Sequence, residues 1–255
     1  MYNFINNKII IIFFLILILI LLQGLSCRPA IGIHFYEAYN FCSKSFFLKF
    51  WQENGFVENL QSFLLFVSII YLFKARIKFK DIKLINFFLI VKIFALIYYL
   101  GEEISWGQHF FRWESPSWFM MNNNQNETNF HNTSNFLDQL PRSLVLIWCS
   151  LSSIFVIFYN KIKKIDINLF KILCPDKKII FIAFTLIVLS LPDLLLDKLN
   201  LKPETYDAAG ELIKSAYYYD MFSFNFIRLS ELHEFIFSSY FMIYSWYFYN
   251  SKRSE

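Results

Sequence analysis

Leu84-Ile85-Asn86-Phe87-Phe88-Leu89-Ile90-Val91-Lys92-Ile93-Phe94-Ala95-Leu96-Ile97-Tyr98-Tyr99-Leu100 runs straight into Gly101-Glu102-Glu103-Ile104-Ser105-Trp106-Gly107-Gln108-His109. The first stretch is apolar apart from Asn86 and Lys92. At ~1.5 Å per residue it is long enough to cross most of a ~30 Å hydrocarbon core. The second stretch delivers two adjacent carboxylates and a histidine to the point where such a helix leaves lipid. Charge there is costly unless it is paired, hydrated or used, which makes these residues functional candidates. If the helix continues to His109, its 100° step puts Glu102, Trp106 and His109 on one face, with Glu103 beside it. Gly101 and Gly107 are the two places where it can break instead.

Working outward, the rest of the chain repeats the apolar theme. Hydrophobic residues make up 56% of it and charged residues only 17%, with 33 phenylalanines in 255 residues, a composition that membrane spans account for. Apolar runs fall at about 9–26, 56–73, 84–100, 144–159, 179–196 and 229–249. The expected fold is therefore all-α: a polytopic membrane helix bundle of six spans, one integral membrane domain over 1–255. Met1–Lys8 and the run after it also have the shape of a signal sequence. Gly24 stands where a lipoprotein cleavage box carries Leu, and the run is read as the first span. Residues 28–55 scatter Tyr36, Tyr39, Phe46, Phe47, Phe50 and Trp51 among charges, the composition of an amphipathic helix lying at the membrane interface.

Lysine and arginine sort the loops. The clusters at 74–83 and 161–178, with Lys252-Arg253, mark the cytoplasmic side, and six spans with both termini inside satisfy all three. The net charge of +4 is confined to these loops, so no nucleic-acid partner is expected. Heavy use of Ile, Phe, Asn and Lys fits an A+T-rich genome, and the expected location is a bacterial inner membrane. Glu58, Glu102, Glu103, His109, His131, Asp193, Asp197, Glu231, His233 and Glu234 then all fall on the outer side. The hydrophobic effect does not require that convergence.

Several chemistries fit the cluster. His109, His131, His233 and Glu234 have the ligand types of a divalent metal site such as zinc. The sequence holds no His-Glu-x-x-His, however, and Glu231-x-His233-Glu234 fans around a helix. Glu58, Glu102, Glu103 and Gln108 are candidates for acid–base catalysis without metal. An interhelical network of ion pairs among Glu58, Glu102, Arg228 and His233 is the structural alternative. Nucleophilic catalysis is weaker, since no Gly-x-Ser-x-Gly elbow is present. Lys92 in mid-span needs a partner such as Asp193, or must snorkel along its stem. The amides of 122–135 surround His131 and either cap turns or bind a polar ligand. Cys27 and Cys42 fall together on the outer side and can pair there, whereas Cys149 in a span and Cys174 inside are expected to stay reduced.

Gly101-Glu102-Glu103-Ile104-Ser105-Trp106-Gly107-Gln108 followed by Glu127-Thr128-Asn129-Phe130-His131-Asn132 resembles an uncharacterised group of bacterial multi-span membrane proteins. The resemblance covers residues 51–135, with Glu58 matching an acidic residue before the preceding span. It implies the architecture and no activity. Two expectations follow from the residues themselves. One is a membrane enzyme acting on a lipid or lipid-linked substrate. The other is a non-enzymatic transport or assembly subunit whose acidic outer face binds a cation or a partner protein.

Overall fold

Apolar periodicity decides where the helices form. The computed structural model describes residues 2–26, 55–123, 126–158, 172, 178–198, 204–206, 212–215 and 229–251. Helix α1 spans Tyr2–Ser26, α2 Phe56–Lys78 and α3 Lys83–Glu103. Two short helices follow, α4 (Gln108–Phe111) and α5 (Ser117–Asn122). Long helices resume with α6 (Asn135–Phe158), α7 (Ile179–Lys198) and α8 (Leu229–Asn250). Two of these, α2 and α3, are long and apolar enough to cross a membrane. Shorter apolar helical stretches lie at Lys8–Leu22, Leu140–Ser152 and Ile179–Leu189. The segment 28–54, Cys27, Cys42, Cys174 and Arg228 lie outside the described residues.

The chain divides into two compact units, Met1–Val57 with Val188–Glu234, and Glu58–Ile187 with Phe235–Glu255. In the second unit each long helix has two unlike faces. α2 buries Gln61, Leu65, Ser68, Leu72 and Ala75 while exposing Phe63, Phe66, Ile70, Phe73 and Ile77. α3 buries Ile85, Leu89, Ile93 and Leu96 and exposes Leu84, Phe87, Val91 and Phe94. α6 turns Leu140, Leu144, Ile147, Leu151 and Ile154 outward. Continuous outward stripes of large apolar side chains are rare on proteins that face water. From Phe235 onward α8 differs, burying Phe235, Tyr240, Ile243, Tyr244, Tyr247 and Phe248 with little left outside. A helix apolar all round belongs at the centre of its bundle.

Specific bonds tie α8 to its neighbours. Lys78 Nζ donates to the carbonyls of Tyr249 and Ser251 at 2.9 and 2.7 Å, satisfying acceptors left over at the C-terminus of α8. Phe79 packs edge-on against Phe248. Tyr240 donates to Ser152 Oγ of α6, and the Tyr244 hydroxyl donates to the Ile172 carbonyl. Lys92 is expected to pair with Asp193 or to snorkel, and the side chain of Asp193 lies outside the described residues. Lys92 Nζ is buried with no hydrogen-bond partner among the described residues and lies over the rings of Tyr244, Trp148 and Phe88, at 3.3, 4.3 and 5.2 Å from their centroids. Cation–π attraction is available to it from all three. Cys149 is buried within α6.

In the first unit the polar stretch after α7 contains a two-stranded hairpin that helical periodicity does not announce. β1 (Glu204–Tyr206) pairs antiparallel with β2 (Leu212–Ser215), with a bulge between Thr205 and Tyr206.

Candidate functional site

The helix that carries Glu102 ends sooner than an unbroken reading to His109 requires. α3 stops at Glu103, and the backbone then turns left-handed through Ser105, Trp106 and Gly107 at φ of 46°, 54° and 95°. Positive φ is cheap for Gly107 and costs about 1–3 kcal/mol at a residue such as Ser105 or Trp106, so the surroundings must hold them there. They do so through hydrogen bonds. The turn folds Trp106 back over α3, where its Nε1 donates to Glu102 Oε1 at 2.9 Å. A Cβ added to Gly101 would lie 2.9 Å from the Trp106 ring, so only glycine admits the indole there. Glu102 and Trp106 therefore meet, but by reversal of the chain rather than by helical spacing.

The second carboxylate oxygen of Glu102 reaches the other motif. Oε2 accepts the backbone N–H groups of Phe130 and His131 at 2.7 and 3.0 Å and lies 3.5 Å from His131 Nδ1. These N–H groups open the 3-10 turn His131–Thr133. Orphan donors at such a start favour an anion. Glu102 is almost fully buried, with 4% of its side chain exposed, while the His131 side chain keeps 28%. The imidazole is half open to its surroundings and backed by a buried carboxylate.

Around this pair a polar network knits the two motifs together. Ser105 Oγ donates to Glu127 Oε2 at 2.9 Å, and Asn129 Nδ2 reaches both Ser105 Oγ and Glu127 Oε2 at 3.0 and 2.7 Å. Asn123 Nδ2 donates to the Asn129 carbonyl and to its Oδ1. Gln108 bridges two strands of the loop. Its Oε1 accepts from the Thr128 N–H at 2.7 Å and its Nε2 donates to Ser115 Oγ at 2.9 Å. Ser115 Oγ in turn donates to the Asn126 carbonyl at 2.5 Å. Asn122, Asn123 and Asn129 thus bond within the loop; the side chains of Asn124, Gln125, Asn132 and Asn135 lie outside the described set.

The remaining candidates stand on α2, α3, α4 and α8. Glu103 is half-buried one residue past Glu102, and Glu58 is half-buried in the first turn of α2. Glu102's hydrogen bonds come from residues 106, 130 and 131, none of them on α2 or α8. His109 lies in α4, and Glu231 in α8; the side chains of both lie outside the described set. His233 and Glu234 belong to the first unit, where His233 Nε2 lies 3.2 Å from the Leu189 carbonyl. Among the described residues no three His, Cys, Asp or Glu side chains gather as metal ligands.

No family model, curated protein or solved structure matches this chain. Function is therefore read from the residues alone. By residue type, Ser105 stands only as a weak nucleophile candidate and Asn123 and Asn129 only as loop amides. The pairing of the two motif blocks is the signal that points to Ser105, Glu127 and Asn129, which bond each other across the turn, whereas Ser115 and Asn123 lie outside both blocks.

Proposed function

We propose that this protein crosses a bacterial inner membrane six times, with both termini inside, and carries out acid–base chemistry at its outer surface on a lipid or lipid-linked substrate. His131 is the general base and Glu102 the carboxylate that orients it. The observation that carries this reading is the 3.5 Å approach of buried Glu102 Oε2 to Nδ1 of the half-exposed His131 ring. With the Nδ1 proton directed at Glu102, Nε2 is left as an acceptor able to take a proton from water or a substrate hydroxyl. The carboxylate then stabilises the imidazolium so formed, as in other carboxylate–histidine pairs. Two backbone N–H groups and an indole N–H hold that carboxylate in place, so it need not reorganise as charge develops. The outward apolar stripes of α2, α3 and α6 support the membrane setting.

The test compares vesicles carrying the wild-type protein with vesicles carrying His131→Gln. Both are incubated with a membrane lipid extract and read by mass spectrometry. The expected result is one lipid class consumed by the wild type and retained by the variant, a rate loss of roughly 10²–10⁴-fold for a missing general base. Identical lipid profiles for wild type, variant and empty vesicles overturn the enzyme reading. They favour the other class, a rigid outer platform for a cation or partner. The internally bonded loop suits that role as well, because Gln108, Ser115 and Asn129 already bond within it.

A further inference from the structure

The loop between α3 and α6 is built the wrong way round for a segment in water. Its interior is polar: Ser105, Ser115, Asn123 and Asn129 are buried and bonded to one another or to their neighbours. Its outside carries large apolar side chains beside exposed Arg112, Glu114, Asn122 and Asn126. Phe110, Phe111, Trp113, Trp118, Met120 and Met121 are all exposed, Phe111 and Met121 to 78% and 77%. A loop that gains stability from water would bury those rings and expose its amides, since burying a large apolar side chain is worth about 1.5–3 kcal/mol. Hydrogen bonds satisfied internally, with apolar groups outward, are what an apolar solvent demands.

The surface also continues a lipid-facing one. Phe94 and Tyr98 lie on the exposed side of α3, and Tyr98 meets Trp106 edge-on with centroids 6.0 Å apart. From Trp106 the chain passes directly into α4 and its exposed rings. Phe111 and Trp113 stack at 5.9 Å, flat against each other, with exposed Arg112 between them in sequence. Trp118 and Phe119 of α5 lean on Phe130, the residue before His131. Trp, Phe and Met beside a helix terminus, with an arginine among them, match the depth where headgroups meet acyl chains.

We propose that residues 110–121 form a foot embedded in the interfacial layer of the leaflet that α3 enters as it leaves the bilayer core. The occupant of this surface is phospholipid, with acyl chains against the rings of α4 and α5 and headgroup oxygens at Arg112. The Glu102–His131 pair then stands at headgroup level, one ring away from the lipid at Phe130. A substrate cleaved there would carry its labile bond in the glycerol or headgroup region, not in the acyl chain. That corollary rests on the catalytic reading above; the foot does not.

Full-length protein in phosphatidylcholine vesicles, with a nitroxide on a cysteine replacing Phe111, Met121, Phe94 or Asn126, tests the foot. Power saturation compares collision with oxygen, which partitions into lipid, and with a water-soluble nickel chelate. Positions 111 and 121 should resemble Phe94, with an oxygen-to-nickel ratio several-fold above that at Asn126. Ratios at 111 and 121 equal to that at Asn126 overturn the proposal. A second measurement needs no label, so a poorly folding cysteine variant does not decide the matter. Acyl chains brominated near the glycerol should quench native tryptophan fluorescence less in the Trp113→Phe and Trp118→Phe variants than in the wild type. Unchanged quenching in both overturns the foot. Neither readout involves turnover, so its failure is distinct from failure of the catalytic assignment.

Discussion

Glu102 is the residue on which the loop between α3 and α6 depends. Replacing it with Ala leaves three donors facing a void: Trp106 Nε1 and the N–H groups of Phe130 and His131. Each unsatisfied buried donor costs about 1–3 kcal/mol, more than a local turn can absorb. Glu102→Ala should therefore open the loop, and limited proteolysis near Asn126 should speed up markedly relative to the wild type. Gly101→Ala should produce the same cleavage by another route, since its Cβ would meet the Trp106 ring at 2.9 Å. Wild-type cleavage rates in both variants would show that Trp106 and the N–H pair are not what closes the loop. Lys92 invites the opposite expectation. Among the described residues its head group meets ring faces, so Lys92→Met, which keeps the volume and removes a costly buried amine, should hold or raise the Tm in detergent. Lys92→Ala should instead lose about 2–5 kcal/mol by opening a cavity. A large loss for Met, equal to that for Ala, would assign the stability to the cation–π contacts themselves.

At the level of elements, sequence periodicity placed most helix ends to within a few residues but missed the start of α6. α6 begins at Asn135, well before the apolar run at 144, because Ser134 accepts the Leu137 N–H at 3.3 Å and starts the helix outside the run. A cap needs only one hydroxyl, so hydropathy does not register it. Ser134→Ala should cost about 1 kcal/mol, read as a lower Tm with little change elsewhere. No change would mean that the 3-10 turn before Ser134 sets the start of α6 instead. The end of α3 was harder still to read. Glu102, Gln108 and His131 were legible as candidates because charge and amide groups at a span's end need a reason. Their partners were not, since a left-handed Ser105-Trp106 turn has no signature in residue type. Lys92 shows the same limit: its three rings come from α3, α6 and α8, and only tertiary packing brings them together.

Across the whole molecule, the bonds within the second unit fix which helix ends lie together. Lys78 at the end of α2 reaches the carbonyls of Tyr249 and Ser251 at the end of α8, so these two helices finish side by side. α3 begins a few residues after Lys78 and ends at Glu103, beside Glu102, where Phe130 and His131 meet it shortly before α6 starts. The basic loop at 74–83 therefore shares an end of this unit with the residues just before Lys252-Arg253, while Glu102 and His131 stand at the opposite end of α3. The basic loop at 74–83 at one end and the polar network at the other are the distribution that the positive-inside rule produces. Cysteines introduced at Lys80 and Asn126, probed on intact cells with a membrane-impermeant maleimide, test this directly. The cysteine at 126 should label at once and the one at 80 only after the membrane is opened, each judged against the wild-type background of native thiols. Immediate labelling at both positions would put the ends of α3 on one side of the membrane. α3 would then not be a span, and the outward-facing site would fall with it.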